Sequence, residues 1–289
     1  MPIPFPIPIP MPIPMATPTP PLVLISWDGV AEPLAMIHLD APAQFGWLLF
    51  DYSGQQATGE RQMRGQTVQV LAAATECKGE IYQALAAYLA QQNLRPEYVA
   101  LIDDDILLSI NDINRALHIG RCAGLDVFSP TLSHDSEYTH RWSLSQPTRL
   151  LRTVDWVEVM MPFYRGELFL AGAPHYLGNV SSWGIDKYLI PTLQQLLGMT
   201  RTALLDAVTA SHRRPVTSGQ KVYRNGLKAS EESVRLKLIC QQLIGAHQPA
   251  LLQSSWYRHI FIQRHVRTRW QQLKYGLGRP LRRWLAEST

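Results

Sequence analysis

The chain has 289 residues and a formal net charge of +4, and 46% of its residues are hydrophobic and 17% charged. This balance is typical of one large or two small globular domains. No stretch of about 18 apolar residues lacks charge or proline, so the sequence predicts no membrane-spanning helix. Three widely spaced cysteines exclude a disulfide framework and a zinc-binding pattern, and they favour a reducing compartment.

The basic charge is concentrated at the C-terminus. Residues 254–289 carry eight Lys or Arg and one acidic residue, a net charge of +7, which leaves −3 on the rest of the chain. Apolar residues recur there at helical spacing. The segment therefore predicts either a basic amphipathic helix lying on an anionic membrane surface or a C-terminal helix packed on the domain. We expect a cytoplasmic protein with peripheral contact to the inner face of the membrane through residues 254–289. No nucleic-acid recognition motif is present.

The N-terminus is rich in proline. Residues 1–21 hold ten of the 21 prolines, which fix φ and remove amide donors, so they predict a disordered arm. It lacks the basic region and uninterrupted apolar core of a signal peptide. A folded domain is expected over residues 22–225, followed by a helical basic extension over residues 226–289.

Between these ends, predicted strands and helices alternate, which is typical of an α/β fold. Strands are predicted at Leu22–Ile25, Trp47–Phe50, Thr67–Leu71, Val99–Ile102, Asp126–Ser129 (closed by Pro130), Val154–Tyr164 and Leu204–Val208. Helices are predicted after Lys78-Gly79 and Ser109, at Leu168–Leu177 and Tyr188–Leu197, and from Ser230 through Val234, Leu238 and Cys240. The glycine patterns of dinucleotide-binding and P-loop proteins are absent from the sequence.

Three carboxylates, Asp103, Asp104 and Asp105, follow the apolar run Val99–Ile102 directly. Adjacent like charges repel one another and lose hydration on burial, whereas a hard divalent cation such as Mg²⁺ or Mn²⁺ would stabilise them. Side chains alternate in extended chain, so Asp103 and Asp105 are expected to point one way and Asp104 the other. The alternative is a solvated junction between a strand and a loop.

Other candidate residues are weaker by themselves. Lys78, near a helix start, is either a phosphate contact or a solvated lysine. Asp186, in the sequence Trp183-Gly184-Ile185-Asp186, is a general-base candidate against an aromatic wall, a helix N-cap, or both. His212, beside two arginines, is either structural or a metal or phosphate ligand.

Several motifs occur together in one order, and the chain resembles the family called domain of unknown function 707, with a glycosyltransferase type-A fold. The matching residues lie in about residues 22–220 and are Lys78-Gly79, Asp103-Asp104-Asp105, Trp156-Val157-Glu158, Met161-Pro162-Phe163-Tyr164-Arg165, Trp183-Gly184-Ile185-Asp186, Asp206-Ala207-Val208, His212 and Arg214-Pro215-Val216. The resemblance implies an α/β three-layer sandwich with a mostly parallel central sheet.

The resemblance also implies roles for individual residues. Asp103 and Asp105 would contact a Mn²⁺ or Mg²⁺ ion, with His212 as a second type of ligand, and Asp103 would lie near the ribose of the sugar nucleotide. Asp104, Lys78 and Arg214 would add contacts to the donor. Asp186, or with less support Glu158, would deprotonate the acceptor hydroxyl if the reaction inverts the anomeric centre.

The leading hypothesis is therefore a metal-dependent glycosyltransferase. Its partners would be a nucleotide-diphosphate sugar donor and a glycan or lipid-linked acceptor. The alternatives are a non-catalytic protein that binds sugar nucleotides or glycans on the same fold, a membrane-surface adaptor, and a metal-dependent phosphohydrolase.

Overall fold

A computed structural model describes residues 18–215 and 219–262. The predicted proline-rich arm, up to residue 17, and the basic tail from residue 263 lie outside the described residues. In the part that is described, no helix is long and apolar enough to cross a lipid bilayer.

The described residues form eleven strands and seven α-helices. The strands are β1 (Leu22–Trp27), β2 (Ile37–His38), β3 (Gly46–Asp51), β4 (Gly59–Met63), β5 (Gln66–Ala72), β6 (Tyr98–Ile102), β7 (Ile106–Ser109), β8 (Val127–Leu132), β9 (Arg152–Thr153), β10 (Phe163–Arg165) and β11 (Thr202–His212). The helices are α1 (Lys78–Gln91), α2 (Ile110–Cys122), α3 (Gly166–Ala171), α4 (Ala173–Tyr176), α5 (Ile190–Leu197), α6 (Ala229–His247) and α7 (Ser255–Tyr257). A π-helical turn, Ile185–Leu189, leads into α5, and a second, Arg258–Ile262, follows α7.

The strands form a single mixed sheet in the order β2-β7-β11-β8-β10-β6-β1-β3-β5-β4, with β9 added beside β11. Strands β5, β3, β1, β6, β8 and β11 run in one direction, and β10 lies antiparallel between β6 and β8. The sheet is therefore mostly parallel, as predicted.

Helices cover both faces of this sheet because side chains alternate along the strands. Val23 and Ile25 of β1 belong to the core that includes α2, whereas Leu24 of the same strand packs in the core that includes α1, α3, α5 and α6. The three-layer α/β sandwich predicted from the sequence is confirmed.

The chain order of the strands places a crevice at the end of the sheet. From β1 the chain moves outward through β3 and β5, then returns to β6 on the other side of β1. Ligands of open α/β sheets bind at the carboxyl ends of the strands at such a switch point. The residue that follows β6 is Asp103, and the amide of Asp104 donates to Ser26 Oγ of β1 at 3.0 Å.

Several predicted elements differ from the structure. Pro130 lies inside β8 instead of ending it, paired in register with Leu205. The predicted strand Val154–Tyr164 was wrong for most of its length, because only its end joins the sheet, as part of β10. In place of the predicted helix Leu168–Leu177, the structure has two short helices, α3 and α4, and the first begins two residues earlier than predicted, at Gly166.

Helix α6 begins at Ala229, within one residue of the prediction. Of the residues named in that prediction, Val234 and Leu238 are 58% and 55% exposed, whereas Cys240 is buried with Leu236 in the core that includes α5. The described start of the C-terminal segment also packs on the domain, since Tyr257 and Phe261 are buried in the same core.

Candidate active site

The acidic triplet forms a turn rather than an extension of its strand. Strand β6 ends at Ile102, and the amide of Ile106 donates to the carbonyl oxygen of Asp103 at 3.2 Å. The predicted alternation of side chains is therefore wrong, because a turn does not keep the period of a strand. Asp103 binds Lys78, whereas Asp104 and Asp105 share the guanidinium of Arg214.

The surroundings of Lys78 favour a structural role over the predicted phosphate contact. Its side chain is 11% exposed, and Nζ donates to Asp103 Oδ1 at 2.6 Å and to the carbonyl oxygens of Leu101 and Met160 at 3.3 and 3.1 Å. An ammonium group has three protons, and all three are used here. Lys78 thus holds Asp103 in place. Burial raises the pKa of Asp103 to about 6, even though the lysine charge acts in the opposite direction.

Asp105 and His212 meet because two strands pair. Strand β7 runs antiparallel to the end of β11 with Ile106 opposite His212, so Asp105 lies beside the imidazole. His212 Nε2 is 3.3 Å from Asp105 Oδ2, and Nδ1 is 2.8 Å from the carbonyl oxygen of Glu137. A carbonyl only accepts, so Nδ1 carries a proton and Nε2 faces the carboxylate.

Each member of this pair shifts the pKa of the other. Burial alone would raise the pKa of Asp105, but the hydrogen bond and charge of His212 hold it below its usual value. Burial would likewise lower the pKa of His212, and the hydrogen bond to Asp105 raises it above its usual value.

Arg214 lies over the two outer carboxylates. Its Nη2 pairs with Asp104 Oδ1, its Nε is 3.1 Å from Asp105 Oδ2, and its side chain is 53% exposed. Tyr52, which follows β3, donates its hydroxyl to Asp104 Oδ2 at 3.0 Å. Burial and the nearby Asp104 charge raise the pKa of Tyr52 to about 12. We did not predict Tyr52 as a site residue, although its place directly after a predicted strand was the available signal.

The donor set at Asp105 and His212 fits a divalent cation. Asp105 Oδ1 is buried and has no hydrogen-bond partner. A histidine that ligates a metal usually donates its other ring N–H to a carbonyl or carboxylate, as His212 does to Glu137. Within residues 18–215 and 219–262, no three His, Cys, Asp or Glu side chains form a metal cluster by themselves. A cation here would take its remaining ligands from water or from substrate phosphates, as Mg²⁺ commonly does.

A second acidic pair, Glu158 and Asp186, lies on the segments after β9 and before α5. Glu158 Oε1 is buried without a hydrogen-bond partner and is 3.8 Å from His140 Nε2. Burial raises the pKa of Glu158 to about 8, and the charge of Asp186 raises it further. The two carboxyls are therefore close enough to sense each other's ionisation.

Asp186 lies inside the first helical turn, because Gly184 is the residue that precedes Ile185–Leu189. Asp186 is thus not the N-cap predicted from the sequence, although its Oδ1 accepts the amide of Lys187 at 2.7 Å. Burial raises the pKa of Asp186 to about 7. Trp183 does not form the aromatic wall expected beside Asp186, because its side chain is 45% exposed and lies near Gly219. The aromatic residues near Asp186 include Tyr164 and Tyr188, whose pKa values are raised by burial and by the Asp186 charge.

The Glu158→Gln variant should become more stable than the wild type as the pH rises. The unfolded chain releases this proton near the ordinary pKa of 4.5, whereas the folded chain keeps it to about 8. The unfolded state therefore binds fewer protons between these values, and wild-type stability falls with pH in that window. Glutamine removes this contribution.

Urea unfolding at pH 5, 6, 7 and 8 should show a widening difference in the free energy of unfolding between Glu158→Gln and the wild type. The exposed Glu167→Gln control should show a constant difference, and a constant difference for Glu158→Gln would contradict the assignment.

An aromatic cluster borders the second acidic pair. It consists of His140, Trp142 and Trp156, whose ring centroids lie 5.0–5.4 Å apart. Its connection to the sheet is a buried ion pair, in which Arg152 Nε and Nη2 donate to the Asp206 carboxylate at 2.7 and 3.1 Å. The sequence indicated His140 and Trp156 separately but did not join them with Trp142, because the three come from two separate segments without a periodic pattern.

We expect Asp206→Ala to lower the free energy of unfolding by about 3–5 kcal/mol, the usual cost of removing one partner of a buried ion pair. The Asp206 side chain is fully buried and also accepts the amide of Gln146 at 2.6 Å. In contrast, Asp135→Ala removes an exposed pair with Arg213 and should cost no more than about 1 kcal/mol. Denaturant unfolding compares the two variants. Equal losses in both would show that the Arg152 pair is not an anchor.

No protein-family model matches the chain. No curated protein matches it either. Among solved structures, the chain is similar to residues 1–349 of TarS of S. aureus in complex with UDP, with 12% identity, coverage of 86% of this chain and 76% of that chain, and a TM-score of 0.47. For the same fragment in complex with UDP-GlcNAc, the identity is 12%, the coverage is 85% of this chain and 76% of that chain, and the TM-score is 0.45. For the fragment without a named ligand, the identity is 11%, the coverage is 89% of this chain and 78% of that chain, and the TM-score is 0.48.

These TM-scores are below 0.5, so the class of fold is taken from the strand order of the chain itself. The resemblance to the domain of unknown function 707 family stays a prediction.

Proposed function

We propose that the chain is a metal-dependent glycosyltransferase that moves a sugar from a nucleotide-diphosphate donor to a hydroxyl acceptor. The observation that carries this proposal is the buried, unpartnered Oδ1 of Asp105 beside the oriented imidazole of His212, at the switch point of a mostly parallel sheet. A structural acidic turn has no need of an oxygen that is both buried and unpaired.

Asp105 and His212 would hold Mn²⁺ or Mg²⁺. When bound, the cation would neutralise negative charge on the departing nucleoside diphosphate. Asp103, fixed by Lys78, is the candidate for a ribose hydroxyl, since a carboxylate next to the switch point accepts hydrogen bonds from a sugar. Asp104, predicted as a donor contact, would act together with Tyr52 by orienting Arg214.

Arg214 is the candidate diphosphate contact. A planar guanidinium binds phosphate oxygens through two parallel hydrogen bonds. Its side chain is half exposed and already lies at the acidic turn, so it needs to move little to reach a ligand there. We keep the predicted phosphate contact for Arg214, and for Lys78 we propose the role of positioning Asp103.

Asp186 is the proposed general base. In a direct displacement, the acceptor oxygen forms a bond to the anomeric carbon as the bond to the diphosphate oxygen breaks, and the hydroxyl proton passes to the base. A base works best when its pKa is near the operating pH, and that of Asp186 is about 7. The pKa of Asp186 is about 7 and that of Glu158 about 8: burial raises both, the charge of Asp186 raises that of Glu158 further, and the Lys187 amide stabilises the Asp186 carboxylate.

Analysis of the products distinguishes the candidate functions. The full chain is incubated with Mn²⁺ and UDP-, GDP-, CDP- or dTDP-sugars, and the nucleotides are separated by chromatography. A glycosyltransferase releases the nucleoside diphosphate from one donor class, slowly to water when no acceptor is present. Release of inorganic phosphate would instead indicate the phosphohydrolase, and binding without turnover would indicate the non-catalytic alternative.

A further inference from the structure

The aromatic cluster of His140, Trp142 and Trp156 has the features of a prepared binding surface. All three side chains are partly exposed, in contrast to the fully buried aromatic rings of the core. His140 and Trp142 stack with an interplanar angle of 15°, and Trp156 meets both at nearly a right angle. The cluster therefore presents an angled aromatic surface in which one of the three rings is polar.

The backbone that carries this surface is held rigidly. Arg152 donates from Nη1 to the carbonyl oxygen of Trp142 at 3.0 Å and from Nη2 to that of Leu144 at 2.9 Å, while it is paired with the buried Asp206. The amide of Ser143 donates to the carbonyl oxygen of His140 at 3.0 Å. A surface fixed before a ligand arrives loses less conformational entropy on binding.

The surface adjoins the acidic residues of the site. His140 Nε2 is 3.8 Å from Glu158 Oε1, the buried oxygen without a hydrogen-bond partner. Three residues before His140, the carbonyl oxygen of Glu137 holds the imidazole of His212. A ligand on the aromatic rings would thus lie beside Glu158, on the same segment that orients His212, the proposed cation ligand.

The sheet order separates this surface from the donor side. Tyr52 and Asp103 follow β3 and β6, the strands on either side of β1, whereas His140 and Trp142 follow β8, and their segment contacts the end of β11. The proposed nucleotide residues and the surface therefore belong to different halves of the sheet, and the contact of Asp105 with His212 at the end of β11 joins the two.

Resting on the function proposed above, we propose that His140, Trp142 and Trp156 form the acceptor subsite, and that the acceptor is a carbohydrate. The C–H groups on one face of a sugar ring carry partial positive charge and pack against the negative face of an aromatic ring. The Glu158 side chain lies beside His140 and is 12% exposed, so it is the candidate to hydrogen-bond a hydroxyl of the same sugar. A serine, a threonine or a lone lipid hydroxyl has no ring to fill this surface.

The test is binding of the labelled full chain to an array of immobilised mono- and oligosaccharides, with Trp142→Ala and Trp156→Ala compared with the wild type. We expect the wild type to bind a related subset of glycans, and each variant to lose binding by about tenfold or more. Trp156→Phe should retain most of it. Trp256→Ala is the matched control, because Trp256 is also partly buried in an aromatic cluster, but beside Phe261 in the C-terminal segment.

Titration of the same variants with UDP, GDP, CDP and dTDP in Mn²⁺ separates this inference from the proposed function. If nucleotide binding persists while glycan binding is lost, the acceptor subsite is supported. If no glycan is bound by the wild type, or if the tryptophan variants bind glycans normally, the inference is overturned. Loss of nucleotide affinity in these variants would also overturn it, because the rings would then hold the base. Glycan binding that needs the tryptophans without any nucleotide binding would uphold the subsite and contradict the proposed donor.

Discussion

Asp105→Asn should weaken nucleoside-diphosphate binding in the presence of Mn²⁺ by about a hundredfold or more. Even residues that only orient a metal ligand cost about 10–100-fold in metal affinity when they are changed, and Asp105 is proposed as a ligand itself. Asparagine keeps the size of the side chain and removes the negative charge that the cation requires. Calorimetric titration with UDP, GDP, CDP and dTDP measures the effect.

Asp135→Asn is the control for this experiment. Asp135 is another aspartate next to a strand end, it pairs with Arg213 instead of Arg214, and its side chain is 64% exposed. Its variant should bind nucleotide like the wild type. If Asp105→Asn retains wild-type affinity in Mn²⁺, the carboxylate does not hold the cation.

Asp186→Asn should lower turnover by about a thousandfold while donor affinity stays within about twofold, because a general base contributes about 10²–10⁴ to the rate. The readout is release of nucleoside diphosphate from the donor, including the slow reaction with water. Glu158→Gln should have a smaller effect on turnover, since its carboxyl is the later one of the pair to ionise.

The pH profile gives a second readout of the same assignment. The base must be ionised to act, and the pKa of Asp186 is raised to about 7 by burial. The rate of the wild type should therefore rise with pH up to about 7 and level off above it. Asp186→Asn should lose this rise. If Asp186→Asn left turnover unchanged and Glu158→Gln lowered it strongly, Glu158 would be the general base instead of Asp186.

The central strands could be predicted because their signal is local. Runs such as Val99–Ile102 are apolar throughout, as strands covered on both faces must be, and acidic or turn-forming residues follow them directly. Because Asp103–Asp105 follow the predicted strand Val99–Ile102 directly, their position at the carboxyl edge of the sheet depends only on where that strand ends.

The individual contacts at this edge could not be predicted, because they depend on partners distant in the sequence. The ammonium group of Lys78 donates hydrogen bonds to the carbonyl oxygens of Leu101 and Met160, and no residue near position 78 in the sequence indicates these partners. Likewise, the turn at residues 103–105 follows from the pairing of β7 with β11, which brings His212 beside Asp105. Only the family resemblance implied that Asp105 and His212 lie together at one metal ion, and no local sequence pattern indicated it.

The buried face of α6 could not be predicted for a similar reason. Val234 and Leu238 fit a helical period, but so do Leu236, Cys240, Leu243 and Ile244, and the neighbouring helix decides which set is buried. The anchoring of the aromatic segment by Asp206 was hidden as well, because a charged residue within a strand does not indicate its partner. Burial of that kind is decided by tertiary packing.

The most direct test of a cation-dependent nucleotide site is the thermal unfolding of the wild-type chain with UDP, GDP, CDP and dTDP, each in Mn²⁺ and in EDTA. A ligand at about 100 times its Kd stabilises the folded state by about 2.7 kcal/mol, which is a readily measured rise in Tm. We expect one nucleotide to raise Tm in Mn²⁺ and not in EDTA. A rise of equal size in EDTA, or no rise with any of the four, would contradict the cation site at Asp105 and His212.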